Sequence, residues 1–243
     1  MNERELRRPF SRDTVKWIAT FCMLLDHIGW YFLTFATPTA QVFHVLGRIT
    51  APVMCCFLAR GARYTHNPRR YLLRLLIFAV LAQIPWYFLH SSKDSFNMLF
   101  TLFLCLLMLL LCNAELPLFL RLPGAALCIA ATYFCDWGIH APLWCLIFFY
   151  LRGSRVKEVV AFSAVALEYF GELVIKRMTL GYTPRDAVFT SLFALGVFLA
   201  LPLLAMTDEP KREANRSAFS KWFFYVFYPL HLGVIALIKL AMK

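Results

Sequence analysis

An aspartate and a histidine stand side by side, Asp26-His27, within an apolar run from Trp17 to Phe35. Ionisable groups at bilayer depth are costly and mark either structural pairing or chemistry. An imidazole can take up a proton near neutral pH, and a carboxylate can orient it or hold a cation. Adjacent helical residues point about 100° apart, so these two side chains cannot stack on one another. At least one must reach another helix. His27 reads as a general base, with Asp26 holding a partner or an arginine. The plainer reading is a buried polar pair that fixes helix packing. Arg48 is the natural partner, inside the apolar stretch from Val42 to Leu58, with Gly47 beside it and Pro52 one turn later. Gly47 permits close helix approach, and Pro52 leaves a backbone carbonyl unpaired. Arg48 then serves either as a structural ion pair with Asp26 or as a contact for a phosphate or a developing oxyanion.

Further polar positions punctuate the chain. Arg60, Arg63, Arg69 and Arg70 crowd the end of the second apolar stretch. Such clusters set topology and touch anionic lipid head groups, and this one also lies where a phosphate-rich cytosolic cofactor would dock. Asn97 and Thr101 fall one helical turn apart, as residues that hydrogen-bond across helices or serve a site. Asp136 precedes Trp137-Gly138 as a loop acid or a second site carboxylate. Tyr228-Pro229-Leu230-His231 breaks the last apolar stretch and brings a second histidine to membrane depth. Asp26, His27 and His231 would also suit the proton relay of a proton-coupled transporter. The P-loop, the Rossmann glycine pattern, HExxH and GxSxG are absent from the sequence, which disfavours soluble-type nucleotide hydrolases, dehydrogenases and zinc proteases.

Lipid-embedded helices must position these residues. Of 243 residues, 60% are hydrophobic and only 16% charged, with mean hydropathy +0.63. That is too apolar for one water-soluble core and predicts an all-α, polytopic membrane protein of about nine to ten transmembrane helices. The expected spans are 16–35, 41–60, 71–90, 96–113, 118–135, 139–152, 157–175, 187–206 and 222–240. The chain reads as one integral-membrane domain over 1–243. A basic arm over 1–15 precedes a start-transfer helix that is retained, and a polar linker over 207–221 precedes the last span. Lys and Arg divide 18 to 6 between the two sides, with Arg48 set aside, which puts the N-terminus in the cytoplasm. The net charge of +11 is thereby absorbed by loops, without the patch that nucleic acid requires. The eight cysteines read as small hydrophobes, and no Cys/His spacing predicts a metal site.

The motifs resemble the TraX family. The resemblance is carried by Met23-Leu24-Leu25-Asp26-His27-Ile28-Gly29, Leu46-Gly47-Arg48-Ile49, Ala51-Pro52, Gly61, Arg63-Tyr64-Thr65 and Tyr71-Leu72-Leu73-Arg74-Leu75. It continues through Gln83-Ile84-Pro85, Asn97, Phe100-Thr101-Leu102, Asp136, Gly138 and Tyr228-Pro229-Leu230-His231. The resemblance implies a bacterial inner-membrane protein linked to N-terminal acetylation of pilin, related to membrane acyltransferases that use cytosolic acyl-CoA. It places His27 at the acyl-transfer base and Asp26, Arg48, Asn97 and Asp136 around it. The expected donor is acetyl-CoA, with its phosphates at Arg60, Arg63 and Arg70. The expected acceptor is an amine or hydroxyl, on a peptide N-terminus or an envelope glycan. One position departs from the pattern: Arg60 stands where an acidic residue is expected before the glycine. The rival expectations are the transporter and a non-enzymatic protein of envelope assembly.

Overall fold

The computed structural model describes residues 9–90, 95–207 and 218–242. Its helices run α1 (Arg12–Phe32), α2 (Pro38–Gly47), α3 (Thr50–Tyr64), α4 (Pro68–Leu89), α5 (Met98–Cys112) and α6 (Leu118–Ala131), then α7 (His140–Tyr150) and α8 (Arg155–Thr179). They end with α9 (Pro184–Ser191), α10 (Ala200–Ala205) and α11 (Ala218–Ala241). Short 3₁₀ turns, Thr132–Phe134 and Leu192–Leu199, extend α6 and join α9 to α10. Among the described residues there is no strand, only two isolated backbone bridges. The chain is an all-α membrane protein. Residues 1–8 of the basic arm and 208–217 of the linker lie outside the described residues, and α11 starts at Ala218, inside the expected linker.

Local chemistry sets the boundaries. Ser11, Asn67, Ser154 and Thr183 cap the N-termini of α1, α4, α8 and α9 with their side-chain oxygens, and Pro38, Pro68 and Pro184 occupy first-turn positions. The break between α2 and α3 falls on Arg48-Ile49. Pro52 has no N–H to give the carbonyl four residues back, and its ring crowds that carbonyl. The missing bond is the one to Arg48, so the helix yields there.

Among the described residues four helical stretches are long and apolar enough to cross a membrane: Pro38–Tyr64, Pro68–Leu89, Pro184–Ala205 and Trp222–Ala241. Met98–Cys112, Leu118–Phe134 and His140–Tyr150 are apolar but shorter. Each of the nine expected stretches contains a helix in the expected order, yet only these four meet the length and composition of a full span. Lys16, Asp26 and His27 interrupt α1, and Lys157, Glu158, Glu168 and Glu172 interrupt α8.

Trp144, Phe162, Leu106, Met108 and Leu109 fill the centre of the bundle. Phe88, Phe119, Leu127, Ile175 and Leu237 stay largely exposed around it. So much outward apolar surface suits lipid rather than water. α1 packs on α2, α3 and α11, while α7 packs on α3 and α8. Two glycines set the closest approaches: a Cβ at Gly47 would overlap the Asp26 side chain, and one at Gly196 would run into the Val45 backbone.

Candidate functional site

Asp26 and His27 turn to different helices, as their angular separation on α1 requires. Asp26 enters the groove opened by Gly47 and meets α2. Its Oδ1 accepts from His44 Nδ1 at 2.8 Å, and its Oδ2 accepts from Arg48 Nη2 in a close ion pair. His44 and Arg48 are four residues apart, so one face of α2 presents both donors to the two carboxylate oxygens. Arg48 Nη1 donates to the Tyr169 hydroxyl of α8 at 3.1 Å. The guanidinium also lies 4.7 Å from the Trp137 ring and 5.4 Å from that of Phe193. Burying a charge pair demands this density of partners.

His27 faces α11. Its Nδ1 lies 3.0 Å from His231 Nε2, and His231 Nδ1 lies 2.8 Å from the Phe227 carbonyl oxygen. A carbonyl only accepts, so His231 Nδ1 carries a proton. With both rings neutral, His231 Nε2 is then an acceptor and His27 Nδ1–H donates to it. That leaves the lone pair on His27 Nε2, for which the described residues provide no hydrogen bond. The relay fixes His27 in the tautomer a base needs.

Asp136 and Trp137 come from the turn between α6 and α7. The Asp136 N–H donates to the Phe96 carbonyl at 2.8 Å, and Thr101 Oγ1 donates to the Asp136 carbonyl at 2.6 Å. Trp137 has φ +68°, a left-handed conformation that is rare for a bulky residue. The strained turn places the indole over Arg48, and such strain concentrates at functional sites. Burial pushes the Asp136 carboxyl up to about 6, with Arg48 opposing that rise.

These side chains line a cavity of about 470 Å³. Asp26, His27, Arg48 and Asp136 all line it, joined by Tyr31, Trp86, His90, Trp137, Tyr228 and Lys239. The Tyr31 hydroxyl lies 3.2 Å from His90 Nδ1, and the Tyr228 hydroxyl accepts from the Met98 N–H at 3.3 Å, which leaves its own O–H to donate.

Asn97 is not part of the lining. It is fully buried at the start of α5, where its amide nitrogen donates to the Ala79 carbonyl and to Gln83 Oε1, both at 2.8 Å, and its Oδ1 caps Leu99 N–H. Its hydrogen-bonding capacity is spent on joining α4 to α5. Asn97→Ala is therefore expected to lower stability by about 1–3 kcal/mol, the cost of orphaned buried partners. Thermal unfolding in detergent checks this. A stable but inactive Asn97→Ala protein would return Asn97 to the site.

The basic cluster also divides. Arg63 donates to the Phe149 carbonyl and lies over the Phe149 ring at 4.3 Å, while Arg70 is exposed at the start of α4. Arg60 instead lines a second cavity of about 310 Å³ with Arg152, Ser154, Arg155 and Glu158. Arg60 Nη1 is buried there without a hydrogen-bond partner. α3 links the two cavities: Thr50 and Ala51 line the first and Cys56 and Arg60 the second. Along α3, Arg60 lies ten residues, about 15 Å, from Thr50, and the nearest lining residues, Ala51 and Cys56, are five residues apart.

His44, Tyr169, Trp137 and His231 thus complete what Asp26, His27, Arg48 and Asp136 begin. The family model described as "TraX protein" matches residues 11–239, a stretch that contains every one of these positions. The chain belongs to the TraX family. It is 30% identical over 246 residues to a protein of Dichelobacter nodosus described as "Probable fimbrial assembly protein FimC, serogroup H1", across 96% of this chain and 98% of that protein. It is also 30% identical over 93 residues to "Uncharacterized protein RP591" of Rickettsia prowazekii (strain Madrid E), across 38% of this chain and 34% of that protein. No solved structure matches the chain. TraX membership thus rests on the sequence, and the cavity chemistry on the geometry above.

Proposed function

We propose that this TraX protein is an integral membrane acyltransferase that moves an acetyl group from acetyl-CoA to an amine or hydroxyl. The observation that carries this reading is the open His27 Nε2 in a cavity that Arg48 and Tyr228 also line. His27 takes the proton from the acceptor as its nitrogen or oxygen attacks the thioester carbonyl, and passes that proton to the departing sulfur. His231 accepts the Nδ1–H of the transient imidazolium and spreads its charge. Arg48 and Tyr228 supply positive character to the carbonyl oxygen, a role worth about 2.7–4 kcal/mol per donor in other enzymes. Asp26 and Tyr169 hold Arg48 in place.

The donor's phosphates fit the second cavity. It offers Arg60, Arg152 and Arg155 and the capped N-terminus of the long helix α8, all suited to anions. In the proposed orientation the N-terminus is in the cytoplasm of a bacterial inner membrane, and this cavity faces the cytosol. His27 then lies toward the far side, within reach of an acceptor outside. The name of the Dichelobacter relative favours a fimbrial subunit, through its N-terminal amine, over an envelope glycan as acceptor.

The test is steady-state kinetics on purified protein in nanodiscs. Arg60→Ala/Arg155→Ala is expected to raise KM for acetyl-CoA by about tenfold or more, as loss of two charged hydrogen-bond partners of a phosphate implies, with kcat little changed. An unchanged KM would remove the second cavity as the donor site. Proton-coupled uptake into vesicles that needs Asp26, without thioester cleavage, would instead establish the transporter.

A further inference from the structure

We infer that His140, Glu168 and Glu172 form a site for a divalent cation of the zinc class at the seam between α7 and α8. His140 Nε2 lies 2.7 Å from Glu168 Oε2 and 3.4 Å from Glu172 Oε2. One donor atom from each residue falls within 4.8 Å of the others. The two glutamates stand one turn apart on the same face of α8, where like charges repel.

Their surroundings call for a cation. The chain has 25 Lys and Arg and a formal charge of +11. Even so, among the described residues no Lys or Arg nitrogen comes within ion-pair distance of either glutamate. Among the described residues their one ion-pair partner is the buried His140 imidazole, which carries at most a single positive charge against two carboxylates. An imidazole and two carboxylates are a donor set that suits Zn²⁺ among the first-row ions. Tetrahedral zinc, with bonds of about 2.0–2.2 Å, places its donors roughly 3.4 Å apart. The separations present, from 2.7 Å to at most 4.8 Å, bracket this value, and glutamate rotamer changes of roughly 1 Å bring the donors to it. His140 is buried and fixes one vertex, whereas the glutamate side chains are 54% and 55% exposed, which leaves the fourth position uncovered. His140 and Glu168 are 28 residues apart, so no local spacing announces the site.

The position ties the ion to the main cavity. Tyr169 follows Glu168 on α8, its ring is 4.9 Å from that of His140, and its hydroxyl holds Arg48. A bound ion would clamp the seam that carries Tyr169. The inference stands whether or not the cavity performs acyl transfer.

The test uses the full-length protein in nanodiscs, stripped with EDTA and titrated with ZnCl₂ against a fluorescent chelator. The expected result is one zinc per chain in the wild type, with affinity weakened about 10–100-fold or more in Glu168→Gln/Glu172→Gln, since even partners outside the ligand shell contribute that much. Zinc should also raise the melting temperature of the wild type and leave that of the variant unchanged. Both glutamate side chains are more than half exposed and, among the described residues, hold no buried partner but His140, so the variant should fold; Glu172→Gln alone, read the same way, serves if it does not. Absence of stoichiometric zinc in folded wild type, or equal affinity in the variants, would overturn the site.

Discussion

His27→Ala is expected to slow acyl transfer by about 10²–10⁴-fold, the range in which a positioned general base contributes. The effect should fall on kcat, with affinity for acetyl-CoA retained, because the donor's phosphates are assigned to the second cavity, which His27 does not line. The relay makes a finer statement possible. His231→Phe removes the acceptor of the His27 Nδ1–H, so the imidazole loses its tautomer control and the group that shares its charge. That variant should keep a residual rate above that of His27→Ala, and the fall should again be in kcat. Equal activity of His27→Ala and wild type would reduce the Asp26-His27 motif to a packing device.

Asp26→Ala is expected to be the most damaging single change for the fold. Both carboxylate oxygens are engaged, and removal leaves Arg48 and His44 buried with no acid between them. Breaking a buried pair from one side costs about 3–5 kcal/mol. Arg48 Nε and His44 Nε2 already lack partners, so little spare capacity exists to absorb the loss. Melting temperature and yield of folded protein should fall sharply. Asp26→Ala/Arg48→Met should recover part of that stability while remaining inactive, since the orphaned charge is gone but the site is too. A double variant no more stable than the single one would show that the pair is not the source of the cost.

The membrane class, the helix order and four of the polar residues that line the cavity, Asp26, His27, Arg48 and Asp136, were readable from residue types. An apolar chain with few charges leaves few alternatives, and Asp26, His27 and Arg48 stand out against that background. His44 was also accessible: it precedes Arg48 by four residues and shares its face, so it could have been paired with Asp26 by the same argument. Trp137 was not, because its part depends on a left-handed backbone that residue type does not announce. Asn97 misled because a lone polar residue at a helix start serves a cap or a site with equal plausibility, and only its partners on α4 decide. The arginines divided for a similar reason. Arg60 and Arg63 are three residues apart, yet one lines a cavity and the other snorkels onto Phe149, while Arg152 and Arg155 arrive from a distant turn. The metal cluster was invisible to any local spacing rule.

The most direct measurement of the central claim follows the acetyl thioester itself. Purified wild type and His27→Ala, each confirmed as folded in nanodiscs, are given labelled acetyl-CoA, and bound donor and released free thiol are measured together. The account predicts that both proteins bind the donor and that only wild type cleaves it, slowly to water and faster once an amine peptide is added. A folded wild type that neither binds nor cleaves acetyl-CoA, or a variant that cleaves it at the wild-type rate, would contradict the account.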